Sequence, residues 1–228
     1  MCETCGCGDP DLVSVELHES LLASNDRMAQ HNREHFGERG VLAINLMGSP
    51  GSGKTALLEA TARALAGHRL GALSGDLATD NDKRRIEQAG LRAWQINTVG
   101  ACHLDAAMVR DALKEFSLEG ISLLFIENVG NLVCPASFEI GENIKVAIVS
   151  TTEGDDKPAK YPKAMKVASA MVITKTDLLP YIACDVDRME RDVRALVPDM
   201  PVFRTAATTG EGTNEFLEWI EAQAAARE

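Results

Sequence analysis

Three groups of residues in this sequence have the types and spacings that do chemistry. The first is Gly48-Ser49-Pro50-Gly51-Ser52-Gly53-Lys54-Thr55, a G-x-x-x-x-G-K-[ST] run placed directly after the apolar stretch VLAINLM. Glycines at that spacing let backbone N–H groups turn toward phosphate oxygens, and the following helix adds its positive end. Lys54 is then set to reach the β and γ phosphates, and the Thr55 hydroxyl to bind the Mg²⁺ that neutralises them. The second group is the tail MCETCGCGDP, with Cys2, Cys5 and Cys7. A disulfide there would close too short a loop to constrain the unfolded chain, which leaves a redox pair or a metal clamp. The third is Cys102-His103 together with Cys134, thiol and imidazole ligands that suit Zn²⁺ or Ni²⁺.

Four further segments bear on the nucleotide and its Mg²⁺. In VITKTDLL, Lys175 and Asp177 follow an apolar run. A carboxylate there accepts from guanine N1 and the exocyclic amine, groups that adenine does not offer, while Lys175 lies over the ring. TKTD resembles the guanine-selecting NKxD segment of GTPases, in which the position of Thr174 usually carries Asn, the side chain that ties the base loop to the phosphate loop. TAATTGEG resembles the loop whose backbone N–H, at Ala206 or Ala207, contacts guanine O6. Asp76 and Asp80 in SGDLATDND, and Glu127 at the end of ISLLFIE, are the acids placed to hold Mg²⁺ or orient the attacking water. Gly130 then lets the backbone after Glu127 approach the γ-phosphate.

Chemistry of this kind needs a scaffold that brings distant segments to one edge. Apolar runs alternate with amphipathic stretches along the chain: VLAINLM, GALSGDL, AWQIN, ISLLFIE, KVAIVS, AMVIT and VFRTA, with helices from Lys54, near Arg84 and from Leu104. That alternation predicts an α/β fold of the P-loop type, a mostly parallel sheet covered by helices on both faces. In such a sheet the acids and the glycine run share the C-terminal edge. Residues 1–12 read as a flexible metal-binding tail and 13–228 as one nucleotide-binding domain opened by a helix over 15–37, with Gly37 and Gly40 ending it. Cys102-His103 is expected to begin the helix after the third strand. His31 and His35 lie one helical turn apart without a third ligand nearby, which reads as solvated surface. Cys184 lacks a ligand-type companion and reads as structural.

Composition narrows the partners. A formal net charge of −11 over 228 residues leaves no basic patch to displace counterions from nucleic acid. No apolar run is long enough to span a bilayer, and the N-terminus lacks the regions of a secretory signal. The expectation is a cytoplasmic protein with no membrane or nucleic-acid partner, in a compartment where clustered thiols serve metals or redox chemistry before disulfides.

Taken together, CETCGC, GSPGSGKT, ACHLDA, ENVGNLVCPASFE, TTEGDDKPAKYP and TKTD resemble the hydrogenase nickel-incorporation GTPase family, HypB, over essentially the whole chain. The resemblance implies a Mg²⁺-dependent GTPase of the SIMIBI class that cycles between GTP and GDP and forms a homodimer under the control of GTP, metal or both. It implies delivery of Ni²⁺ to the [NiFe]-hydrogenase large subunit alongside a small zinc-containing HypA-type partner. It also makes Cys2, Cys5 and Cys7 high-affinity nickel ligands, with the N-terminal amine as a fourth. The histidine-rich stretch that some relatives carry is missing, which argues against storage. Ser49 and Pro50 stand where some dimeric relatives have an extra lysine. Two alternatives stay open: a GTPase maturing another nickel enzyme such as urease, against which the CETCGC tail argues, and a metal buffer with a vestigial nucleotide site.

Overall fold

The computed structural model describes residues 10–65, 69–75 and 85–226, with the first helix's side chains described from residue 21 onward. Cys2, Cys5 and Cys7 of the tail, and Asp76 and Asp80, lie outside the described residues.

All seven apolar runs form strands: β1 (Leu42–Gly48), β2 (Leu70–Ser74), β3 (Arg92–Gln95), β4 (Leu123–Glu127), β5 (Ile144–Ser150), β6 (Ala170–Thr174) and β7 (Val202–Arg204). They join in one sheet of order β3-β2-β4-β1-β5-β6-β7, with every pair parallel. The central strands are buried along their whole length, which explains why they read as continuous apolar runs with no alternation. After β1 the chain builds one side of the sheet through β4 and then crosses to the other at β5. This reversal of strand order beside β1 opens the crevice where sheets of this kind bind ligands.

The helices that build the layers on the sheet are α1 (Pro10–Glu38), α2 (Lys54–Ala64), α3 (Ala106–Glu115), α4 (Pro162–Val167), α5 (Val186–Leu196) and α6 (Thr213–Ala225), with a further short turn of helix at Lys157–Lys160. Leu42, Ile44 and Leu46 of β1 face α2 and α6 and pack in one cluster with Leu57, Leu58, Phe216 and Ile220. On the opposite face Ala43 joins Phe36 of α1 and Val109 of α3, and Met47 joins Met165 of α4 and Met189 of α5. Side chains of adjacent residues on β1 thus anchor helices on opposite faces, as the period of two requires. Each fully buried Leu or Ile contributes roughly 1.5–3 kcal/mol relative to exposure.

Three helix boundaries differ from the sequence reading. The first helix starts at Pro10, five residues before the expected 15, because proline is at home in a first turn whose N–H groups have no intrahelical partner. Gly37 stays inside that helix, and Gly40, at φ 63°, is the residue that ends it. Helix α3 starts at Ala106, not at Cys102 or Leu104. Asp105 is extended and its side chain accepts from Met108 N–H, so it caps the helix and leaves Cys102-His103 in the preceding loop.

Candidate functional site

The glycine run connects β1 to α2. Gly51 and Gly53 have φ of 74° and 91°, so the turn uses the left-handed conformations that glycine adopts without strain. Gly53 is also the N-cap residue of α2 and supplies no side-chain cap, so the first-turn N–H groups are left to a ligand. Lys54 is 3% exposed and folds back, its Nζ donating to the carbonyls of Gly48 at 3.3 Å and Ser49 at 3.4 Å. Ser52 Oγ is buried without a hydrogen-bond partner. A loop with inward N–H groups, a buried ammonium and an unpaired buried hydroxyl suits phosphate oxygens.

Strand ends bring the expected acid to this loop. Thr55 Oγ1 donates to Glu127 Oε1 at 2.6 Å, and Ser74 Oγ donates to Oε2 at 2.9 Å. Glu127 has no exposed surface, so its carboxylate is held by two hydroxyls at the junction of β2, β4 and α2. Thr55 and Glu127 are hard oxygen donors in contact, a donor set that fits Mg²⁺. Ser74, which spacing did not single out, is the residue that aims Glu127. It ends an apolar strand, and only the β2–β4 register, which sets Ser74 opposite Glu127, makes its role visible.

The segments that the sequence offers for selecting the base meet on the other side of the loop. Thr174 Oγ1 donates to the Ser52 carbonyl at 2.6 Å, so the shorter side chain keeps the tie that Asn usually makes. Lys175, at φ 60°, turns its ammonium to the Gly51 carbonyl at 2.7 Å, and its own carbonyl accepts from Thr151 Oγ1 at 2.8 Å. Asp177 Oδ2 accepts from Thr208 Oγ1 at 2.8 Å, which joins the TKTD segment to the TAATTGEG loop. In that loop the Ala206 N–H donates to the Glu211 carbonyl at 2.9 Å, which leaves Ala207 as the better placed of the two expected donors. Lys157 was not anticipated. Its Nζ lies 3.4 Å from Ser49 Oγ and 3.3 Å from Glu153, and its separation of 108 residues from Ser49 hides the contact in the sequence.

Cys102, His103 and Cys134 come together, with ligand atoms all within 4.8 Å of one another. The two sulfurs are 3.1 Å apart and Cys102 Sγ is 3.6 Å from His103 Nδ1. The His103 ring stacks on Phe138 at 3.9 Å, and burial holds its pKa below the usual imidazole value against the opposing charge of Asp105. A neutral imidazole is the ligating form. The neighbouring Cys102 thiol, then burial, push the Cys134 thiol up, while the Asn131 side chain pulls it down. A soft metal replacing the thiol protons relieves that contact between sulfurs.

Asn131 links the two regions. Its backbone forms an antiparallel bridge with Gly48 of the phosphate loop, and its Nδ2 donates to the Cys102 carbonyl at 3.2 Å. Its Oδ1 accepts from Val133 N–H at 2.8 Å. The neighbouring Gly130 lies so close to the loop that a Cβ there would be 2.9 Å from Pro50. The remaining candidates stay apart. His31 and His35 line a shallow 140 Å³ depression with Arg110 and Lys114, cationic company that does not suit a metal. Cys184 is half-buried against Met189 with its thiol pushed up, mainly by burial.

Residues 42–204 match the family described as CobW/HypB/UreG, nucleotide-binding domain. The chain is 49% identical over 216 residues to the hydrogenase maturation factor HypB of Azotobacter chroococcum, covering 93% of this chain and 70% of that protein. Among solved structures, HypB from Archaeoglobus fulgidus superposes with a TM-score of 0.84 at 40% identity, covering 89% of this chain and 100% of that one. HypB from Helicobacter pylori, crystallised in complex with nickel, gives 0.83 at 36% identity, over 89% and 96% of the two chains.

Proposed function

The chain belongs to the CobW/HypB/UreG family of nucleotide-binding proteins, and from that premise we propose that it is a GTP-hydrolysing metallochaperone that promotes insertion of Ni²⁺ into the [NiFe]-hydrogenase large subunit. The observation that carries this reading is the short segment from Glu127 to Cys134. Its first residue contacts Thr55 beside the phosphate loop, and its last is a thiol of the cysteine and histidine cluster.

In the proposed reaction GTP lies with its phosphates in the 48–55 loop, held by Gly48, Gly51, Ser52 and Gly53 and their N–H groups. Lys54 leaves the Gly48 and Ser49 carbonyls to neutralise the β and γ phosphates. Thr55, Glu127 and Asp80 would hold Mg²⁺, which would supply charge stabilisation as the γ-phosphoryl group transfers. Water, oriented by Asp76, Asp80 or Glu127, attacks the γ-phosphorus. The bond to the β-phosphate oxygen breaks, and GDP and phosphate leave. Asp177 selects guanine, Lys175 covers the ring and Ala207 offers its N–H to O6.

The tail that the sequence sets at residues 1–12, its last three residues already in α1, acts as a metal-binding segment ahead of the nucleotide unit. There Cys2, Cys5 and Cys7 with the N-terminal amine would hold Ni²⁺, whose ligand preferences suit thiolates and an amine. Cys102, His103 and Cys134 form a second site for Ni²⁺ or Zn²⁺. Three ligands per chain are few for a closed site, which supports a homodimer that pools two sets under the control of nucleotide. The partners are a HypA-type accessory protein and the hydrogenase large subunit, in the cytoplasm. No described helix is long and apolar enough to cross a membrane. Against a metal buffer with a vestigial nucleotide site stand the contact of Thr55 with Glu127 and the tie from Thr174 to the loop.

The test measures phosphate release from GTP and nickel transfer to a hydrogenase large-subunit acceptor by the full-length chain. Transfer that requires GTP is expected. Equal transfer with and without nucleotide overturns the reading.

A further inference from the structure

The segment 128–134 touches the phosphate loop and the metal cluster through different atoms of one residue. Backbone atoms of Asn131 bridge to Gly48, whose carbonyl also accepts from Lys54. The Asn131 carboxamide spans the cluster side, donating to the Cys102 carbonyl and accepting from Val133 N–H beside Cys134. When phosphates draw Lys54 away, the Gly48 carbonyl loses a charged donor, and the strand-like bridge to Asn131 must readjust. Gly130 lies directly against Pro50, so a movement of the 48–55 loop presses on the same segment at a second point.

We propose that Asn131 is a positioning residue that sets the separation of Cys102 and Cys134 according to the nucleotide held by the 48–55 loop. This rests on the reading that the chain binds both GTP and a metal at Cys102, His103 and Cys134. Asn131 itself is no ligand. It acts on one thiol through the Cys102 carbonyl and on the other through the turn that starts at Val133. The backbone bridge alone moves the 131–134 segment, but without the carboxamide the Cys102 loop does not follow, and the two sulfurs respond independently. Asn128 fixes the far end of the same loop. It is fully buried, its Oδ1 accepts from Leu104 N–H at 3.0 Å, and its Nδ2 donates to Asn45 Oδ1 at 3.2 Å. That anchor ties Leu104 to β1, whose Leu46 carbonyl accepts from the Asn128 N–H, and acts as the pivot against which Asn131 moves Cys102.

The experiment uses the full-length chain with Cys2, Cys5 and Cys7 changed to serine, and reads Ni²⁺ and Zn²⁺ dissociation constants spectroscopically with GDP and with a non-hydrolysable GTP analogue. The parent is expected to show a ratio between the two states in the usual range of coupling, about 5- to 150-fold. Asn131→Ala and Asn131→Asp, both lacking the donor to Cys102, are expected to bring that ratio to about twofold or less, with GDP affinity and melting temperature close to those of the parent. A metal-free readout runs beside it: alkylation rates of Cys102 and Cys134 by iodoacetamide, resolved by peptide mass spectrometry with Cys184 as internal reference. Nucleotide should change the Cys102 rate in the parent and leave it unchanged in Asn131→Ala. A full parental ratio in both variants overturns the role of Asn131. A parent whose metal affinity and thiol reactivity ignore nucleotide overturns the coupling itself, and the assignment with it.

Discussion

The phosphate loop and the metal cluster lie at opposite ends of one short segment, yet they are built differently. Around the loop, Lys54, Glu127 and Thr174 are nearly or fully buried, and the contacts of Glu127 and Thr174 are among the shortest side-chain hydrogen bonds at the site, at 2.6 Å. The cluster sits on two loops, with Cys102 exposed, Val133 next to Cys134 57% exposed, and the two sulfurs 3.1 Å apart. A site that must recognise one ligand with fidelity is fixed by strand ends and core packing. One that must take up and release its cargo rests on loops whose position something else sets.

The comparison breaks most visibly at the base loop. Asp177→Asn exchanges an acceptor for a donor and is expected to shift preference from guanine toward xanthine nucleotides, by a factor on the order of a thousand or more in competition binding. Equal use of GTP and ATP by the parent would remove the basis of that expectation. Next in size is Lys54→Ala, which takes away the buried cation aimed at the phosphates. GTP turnover should fall on the order of a hundred- to a thousandfold while circular dichroism stays native.

On the cluster side, Cys134→Ala is expected to weaken metal binding by more than about a hundredfold, since even the loss of an outer partner of a ligand costs about 10- to 100-fold. GDP affinity measured by fluorescence should hold. A variant with parental metal affinity would show that the three residues are neighbours without being ligands. The smallest effect sharpens the account of rigidity. Thr174→Val keeps the shape but leaves the buried Ser52 carbonyl without its donor, so denaturant unfolding should reveal a loss of about 1–3 kcal/mol.

The same contrast decides what was legible in the sequence. Parallel strands buried on both faces appear as unbroken apolar runs, and the five inner strands were readable from KVAIVS, AMVIT and their like, while the partly exposed edge strands β3 and β7 showed as the mixed runs AWQIN and VFRTA. The 48–55 run was readable because its chemistry is local: each residue's role follows from its place in one turn. Helix starts were less so, because Asp105 takes the cap and moves the beginning of α3 past Cys102-His103. The survival of the tie through Thr174 depended on how closely β6 approaches the loop, a distance no spacing encodes. Asn131 was invisible for the same reason. Its partners Gly48 and Cys102 lie far from it in sequence on either side of β2 and β3, and an asparagine after a glycine reads as an ordinary turn.

The central claim is that one chain hydrolyses GTP and that the 127–134 segment makes this hydrolysis answer to metal. The most direct measurement is steady-state phosphate release from GTP with Mg²⁺, by the chain with Cys2, Cys5 and Cys7 changed to serine and by the same chain carrying Cys134→Ala, with and without one equivalent of Ni²⁺. The account predicts turnover in both proteins well above a Lys54→Ala background, changed by Ni²⁺ in the parent and unaffected in Cys134→Ala. Turnover no greater than that background, or the same response to Ni²⁺ in both proteins, would contradict it.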